Sequence, residues 1–343
     1  MNNNLLKTNW FTLLLLNLTV WLLVVLILST VARGQDESKI AQTGLQFLSV
    51  VSDARAAALA NTMTSLEEGS GALFFNPATM GFMTSSFDVS FSLNEWIADI
   101  NHHNVSLAFS PGNGNYGVFG FSLQAVDYGE VLGTIVAANE KGYEDVGIIE
   151  PSAFAFGVGY AKALSEQFSV GGQVKWVRQD LGESIIPATD SSTTRVENVL
   201  KLLAFDFGTL YKTGFKSLAF GFSARNFSQE TEFAQESFQL PLVFSLGVSM
   251  NLLDFTRMNP ENQALLFTFQ ATNARSHPEQ VSFAMEYQFM ELISLRGGFV
   301  TNNDEDDISF GFGVSHSGLK LDYAYTPFGV FDKVQRFTAR FSL

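Results

Sequence analysis

Few side chains in this sequence are placed to do chemistry, and the best placed lie early. Asp53-Ala54-Arg55 sets a carboxylate and a guanidinium two residues apart, and Asn76-Pro77-Ala78 follows further on. A guanidinium can grip a carboxylate with two hydrogen bonds, so Arg55 reads as a gate or anion contact, or as half of a structural ion pair. Asn76, Pro77 and Ala78 read as a turn, because proline disfavours helix in the residue before it and presets its own φ. The four histidines, His102, His103, His277 and His316, have no metal-ligand spacing. Asp304-Glu305-Asp306-Asp307 offers oxygens to a hard cation but not at EF-hand spacing, and reads as a solvated loop tip. With no cysteine, thiol nucleophiles, disulfides and cysteine metal sites are excluded. No nucleophile elbow or phosphate loop appears, so no enzyme, cofactor or resident metal is expected.

The elements that would carry these residues begin with an export signal. A nearly unbroken apolar run from Phe11 to Leu28 follows Lys7, and Ala32-Arg33-Gly34 supplies small residues for a signal peptidase. Residues 1–34 are expected to be a signal peptide cut before Gln35; the alternative is a retained transmembrane helix. Without them the chain has 18 basic and 34 acidic residues, which argues against nucleic acid or anionic lipid as a partner.

From Ser85 onward the dominant period is two. Phe87, Val89, Phe91 and Leu93 alternate with Ser86, Asp88, Ser90 and Ser92, and similar runs recur to Phe337, Ala339, Phe341 and Leu343. Many reach about nine to eleven residues, the length at which a tilted strand crosses a bilayer. An unpaired strand edge in hydrocarbon leaves backbone groups unsatisfied, so the sheet must close. The expected fold is all-β: a transmembrane antiparallel barrel of about 14 strands over residues 85–343, its Phe-rich face against outer-membrane lipid. Connections are expected to alternate long and short, with Asp127 to Pro151 and Leu181 to Lys201 as external loops. Leu252 to Gln263, which holds Asn259-Pro260, breaks that pattern as a short helix or hairpin. The opposite face is small and polar, with Lys175, Asp206, Arg225, Glu286, Arg296 and Arg340 turned inward. A lumen of that size with such slender walls needs a filling.

Residues 35–84 are the expected filling, an N-terminal hatch. Ser52-Asp53 before Ala54-Arg55-Ala56-Ala57-Ala58-Leu59-Ala60 reads as a capped short helix, broken at Glu68-Gly69-Ser70-Gly71. Gly44-Leu45-Gln46-Phe47-Leu48, Asp53-Ala54-Arg55-Ala56-Ala57, Ser70-Gly71-Ala72-Leu73-Phe74-Phe75 and Asn76-Pro77-Ala78 together resemble the opening of the PorV/PorQ family, within the FadL-like outer-membrane barrels. The resemblance covers about Gly44 to Gly81, and the chain departs from many relatives at Ala58-Leu59-Ala60-Asn61, where they are glycine-rich. It implies a fourteen-stranded barrel with an N-terminal hatch. It also implies partners in type IX secretion: the translocon, the attachment subunits or the C-terminal signal domains of cargo. The final strand, ending Phe341-Ser342-Leu343, suits the barrel-assembly machinery. A second function is a FadL-like channel for hydrophobic small molecules, gated by the hatch, with Leu45, Phe47 and Leu48 lining a pocket beside it.

Overall fold

The computed structural model describes residues 43–343 except 113, 188–192, 234–235, 257–262, 304–306 and 330–332. The signal segment, Asn259-Pro260 and most of the acidic run at Asp304 lie outside the described residues. From Phe87 onward the alternation of large apolar and small polar residues folds as strands whose burial alternates in step, as in β3, where every second residue is exposed.

The strands are β1 (Phe87–Glu95), β2 (Asn101–Phe109), β3 (Val118–Asp127), β4 (Val131–Val136), β5 (Tyr143–Ile149), β6 (Ser152–Ala163), β7 (Phe168–Pro187), β8 (Thr193–Lys212) and β9 (Ala219–Phe227). They continue with β10 (Thr231–Phe233), β11 (Glu236–Phe238), β12 (Val243–Asn251), β13 (Gln263–Ala274), β14 (Gln280–Phe289), β15 (Ile293–Val300), β16 (Ile308–His316), β17 (Leu319–Pro327) and β18 (Lys333–Ser342). Fourteen of them close a barrel in which each pairs antiparallel with the next and β1 pairs with β18, Val89 opposite Phe341. Closure leaves no sheet edge within the lipid layer. The remaining four form two small hairpins, β4–β5 and β10–β11, within longer connections.

Outward positions carry Phe119, Phe121, Phe156, Phe207, Phe220, Phe310 and Phe312, all well exposed on the isolated chain, as a lipid-facing belt requires. Neighbouring rings meet across strands, Phe119 with Tyr160 at 5.1 Å and Tyr323 with Phe337 at 5.0 Å. Inward positions are small or polar: Ser90, Ser92, Ser106, Ser122, Ser223, Ser245 and Thr268 are all buried.

The alternation of long and short connections is less regular than the sequence suggests. Residues 96–100 turn briefly between β1 and β2, while 110–117 on the opposite rim take more chain. Leu181 to Lys201 corrects a sequence expectation, because most of it is ladder rather than loop. Gly182, at φ 80, absorbs a bulge between Asp180 and Glu183, after which Glu183 to Pro187 pairs with Thr193 to Glu197. After β12 a 3₁₀ turn, Leu252–Phe255, is capped by Asn251, whose side chain accepts from the Leu253 N–H at 3.1 Å.

Candidate functional site

Residues 43–84 thread the lumen. Thr43 bridges to Gln239 on the rim between β9 and β12, and Gly81 lies against Lys162, Ala163 and Ser169 at the β6–β7 turn on the opposite rim. The segment therefore reaches both ends of the barrel. Its first turn, Gln46–Ser49, buries Leu45, Phe47 and Leu48 against Val126, Ala153, Ala155, Val177, Ala204 and Leu240. These three residues form an apolar seal, and Leu48 also borders a narrow void beside the hatch.

The short helix α1 (Ala54–Ala58) forms because Asp53, in extended backbone, accepts from the Ala56 N–H at 2.8 Å. Four of its five side chains are alanine, all buried, which lets α1 lie flat on the wall. Ala54 donates its N–H to Thr338 Oγ1 at 2.8 Å. Ala60 and Asn61, both at positive φ, end the helix.

Arg55 leaves this helix sideways into a chain of charges. Its Nε and Nη2 meet the two carboxylate oxygens of Glu286 at 2.9 and 3.0 Å, and Nη1 pairs with Glu68. Glu68 is shared with Arg340, which also lies 3.6 Å from Asp53. Glu286 is shared with Arg296, whose Nη1 reaches Asp322 at 2.6 Å. Hatch and barrel thus interleave as Asp53, Arg340, Glu68, Arg55, Glu286, Arg296 and Asp322, each sign flanked by the other. Burial pushes the Glu68 carboxyl up, yet the Arg340 and Arg55 guanidiniums outweigh it and hold the group at about 2. Asp53 goes the other way, to about 6, because burial and the neighbouring Glu68 charge outweigh its helix-capping bond and Arg340.

Asn76 is a second fastening. Its Oδ1 accepts from the Ala78 N–H at 3.1 Å, starting the 3₁₀ turn Pro77–Phe82, while Nδ2 donates to Thr64 O at 2.6 Å and Thr209 O at 3.1 Å. Pro77 sits at the first position of that turn, where its missing N–H costs nothing. Ala78, fully buried, accepts from Ser169 Oγ at 2.7 Å through its carbonyl.

The wall is hollowed to receive these parts. A Cβ built on Gly208 would stand 1.8 Å from Asn76 Oδ1, on Gly221 2.0 Å from Thr64 O, on Gly171 2.6 Å from Ala78 N and on Gly298 2.6 Å from Ala60 N. At Gly221, Gly171 and Gly298 hatch backbone touches the wall directly, and at Gly208 the Asn76 side chain does. The sequence does suggest slender walls and inward charges at Glu286, Arg296 and Arg340. It does not single out Glu68 or Asp322; their signal was an acidic residue in a glycine-rich break and one on an inward strand position.

Above the hatch a cavity of about 590 Å³ opens toward the rim of residues 96, 276–280, 300–303 and 328. Its floor and wall include Gln46, Val51, Asn61, Arg225 and Arg336, with Trp96 and Phe328 in edge contact at 4.9 Å. Arg336 donates to Val51 O at 2.7 Å, and its guanidinium lies 5.4 Å from the Trp96 ring, so this wall too is tied to the hatch. His102, the second residue of β2, is buried, with its ring 6.2 Å from Trp96.

Comparison with known proteins agrees with this build. The family model described as "Type IX secretion system protein PorV" matches residues 33–199. No curated protein matches the sequence significantly. Among solved structures the chain is similar to the Pseudomonas putida toluene transporter TodX, at 13% identity and TM-score 0.52 over 83% of this chain and 95% of that one. It is similar to a Pseudomonas aeruginosa FadL homologue at 14% identity and TM-score 0.53 over 85% and 98%, and to the CymD monoaromatic hydrocarbon channel at 11% and 0.53 over 85% and 97%. With the barrel closed and the lumen occupied, the chain is an outer-membrane β-barrel of FadL-like fold, and its residues 33–199 match the PorV family model.

Proposed function

We propose that this protein is an outer-membrane component of type IX protein secretion that works through its rim and external loops, binding cargo or partner subunits rather than conducting them. Residues 1–34 act as the export signal, residues 35–84 as the hatch, and the rim bearing β4–β5 and the tip of β7–β8 faces outward. The observation that carries the reading is the fixed plug. Charge pairs, backbone hydrogen bonds and glycine contacts tie the hatch to the wall between both rims, which suits a protein used as a docking body. The PorV match supplies the pathway. In this role Asp53, Arg55, Asn76, Pro77 and Ala78 are structural fastenings, and neither a cofactor nor a catalysed reaction is involved.

One observation favours a second reading. The cavity above the hatch is large enough for a small molecule and is partly aromatic at Trp96 and Phe328, and the similar CymD barrel is a monoaromatic hydrocarbon channel. Deleting the gene and comparing the secreted proteome with uptake of long-chain fatty acids and aromatic hydrocarbons tests both. Loss of secreted proteins with normal uptake is expected; normal secretion with impaired uptake would reverse the ranking.

A further inference from the structure

The cavity above the hatch is not walled like a hydrocarbon site. Arg225 on β9 and Arg336 on β18 both line it, and among the described residues no Asp or Glu does. Gln46, Asn61, Gln270, Gln280, Asn302 and Asn303 bring amides to the same wall. The chain as a whole has 34 acidic residues against 20 basic, so a lining with two arginines and no acid runs against its composition.

The two guanidiniums are held differently. Arg336 is fixed, donating to Val51 O at 2.7 Å and Thr326 Oγ1 at 2.8 Å with Trp96 beside it. Arg225 is half-buried and donates through Nη1 to the Phe74 carbonyl. It forms no ion pair among the described residues; Asp206 on β8 is held instead by Lys175 at 2.8 Å and by the Asn226 N–H at 2.7 Å. The other N–H groups of Arg225 are left for a ligand. A second observation comes from the polar atoms of the lining. Ser309 on β16 is 4% exposed, and its Oγ has no hydrogen-bond partner; the same holds for Ser49 Oγ, Ser276 Oγ and Asn61 Oδ1. Buried polar atoms are ordinarily satisfied, so their clustering around one cavity points to a ligand that satisfies them. Asn61 Oδ1 can only accept, and so calls for an O–H or N–H as well as the anion that the arginines call for. A hydrocarbon offers neither, and an ammonium would meet two guanidiniums with no carboxylate to pair it.

We propose that the cavity binds a small hydroxylated oxyanion, a sugar acid or sugar phosphate, its charge on Arg225 and Arg336 and its hydroxyls on the amides and serines around them. Its volume of about 590 Å³ lies within the roughly 300–1,000 Å³ of small-molecule sites. Guanidinium N–H groups grip carboxylate and phosphate alike, in pairs. The inference goes beyond the secretion reading and holds whether or not the barrel serves secretion.

Titration calorimetry of the purified barrel in detergent tests it, with glucuronate, glucose-6-phosphate, glucose and benzoate as probes. Glucuronate or glucose-6-phosphate is expected to bind at least tenfold tighter than glucose, which lacks the charge, and than benzoate, which lacks the hydroxyls; the tighter of the two names the oxyanion. Arg225→Gln is expected to weaken that binding by about tenfold or more, the loss of a hydrogen bond to a charged group. Ser276→Trp, in the connection between β13 and β14, fills the cavity mouth without touching either arginine and should abolish binding at an unchanged thermal midpoint, which keeps the test open if Arg225→Gln fails to fold. Undiminished binding in either folded variant overturns the site. Glucose or benzoate bound as tightly as both acids overturns the ligand class, and no binding of any probe at millimolar concentration overturns the proposal outright.

Discussion

Gly221→Ala tests the fixed plug most directly. The added Cβ would stand 2.0 Å from the Thr64 carbonyl oxygen, 2.6 Å from its carbon and 2.9 Å from Ser65 Cα. All three are backbone atoms, so no side-chain rotation relieves the clash. Restoring an ordinary contact of about 3.4 Å requires the hatch or β9 to move by more than 1 Å, and overpacking of this kind costs about 1–3 kcal/mol. Movement of Thr64 also strains the bonds from Asn76 Nδ2 to Thr64 O and from the Thr64 N–H to Gln270, so the cost falls at the upper end. The assay is the thermal midpoint of the purified barrel in detergent, with protease protection of the hatch as a second readout. Gly297→Ala is the control, since its Cβ would find nothing nearer than 3.9 Å. A loss of roughly 2–4 °C per kcal/mol is expected for Gly221→Ala and little change for Gly297→Ala. Equal midpoints and equal protection would refute the claim that the wall glycines seat the hatch.

Other consequences can be measured on the same barrel. Arg55→Met leaves Glu286 and Glu68 each with one arginine, and destabilisation of about 3 kcal/mol is expected by denaturant titration, the low end for breaking a buried pair. Asp53→Ala removes the α1 cap, and hydrogen exchange at Ala56 should rise by an amount equivalent to about 1 kcal/mol. The pH dependence of Glu68 and Asp53 has opposite signs. Glu68, depressed to about 2 from 4.5, contributes stability that is present above 4.5 and lost as pH falls toward 2. Asp53, raised from 3.8 to about 6, contributes stability that is present below 3.8 and lost as pH rises through 6. Hatch protection measured across this range should thus improve from pH 7 toward 4 and fall again by a comparable amount below about 4; Asp53→Asn should flatten the upper limb alone.

The barrel was legible because its signal is local: Phe87 to Leu93 announce which face meets lipid without reference to any other strand. The cap on α1 was legible for the same reason, Asp53 and Ala56 being three residues apart. Glu68 with Arg340, or Thr64 with Gly221, was not. Those partners are far apart in the chain, and nothing in either residue names the other. The β7–β8 extension was hidden differently. Gly182 interrupts the alternation and reads as the start of a loop, whereas in the fold it is a single bulge after which the ladder resumes. The burial of Leu240 under the hatch depends likewise on distant residues, Leu45 and Phe47.

These long-range contacts separate the two uses to which such a barrel can be put. A gate needs two states of similar energy, so its moving part should touch the wall through few and replaceable contacts. Between Asp53 and Phe82 the hatch does the opposite. Its backbone meets wall glycines where no side chain intervenes, and its charges alternate with those of β14, β15, β17 and β18. Removing it would take from Arg340 its ion-pair partners Glu68 and Asp53, and would leave Glu286 with Arg296 alone. The contacts above Asp53 differ in kind: Leu45, Phe47 and Leu48 rest on apolar wall without charge pairs. Any opening this barrel allows is therefore confined to residues 43–52 beside the cavity.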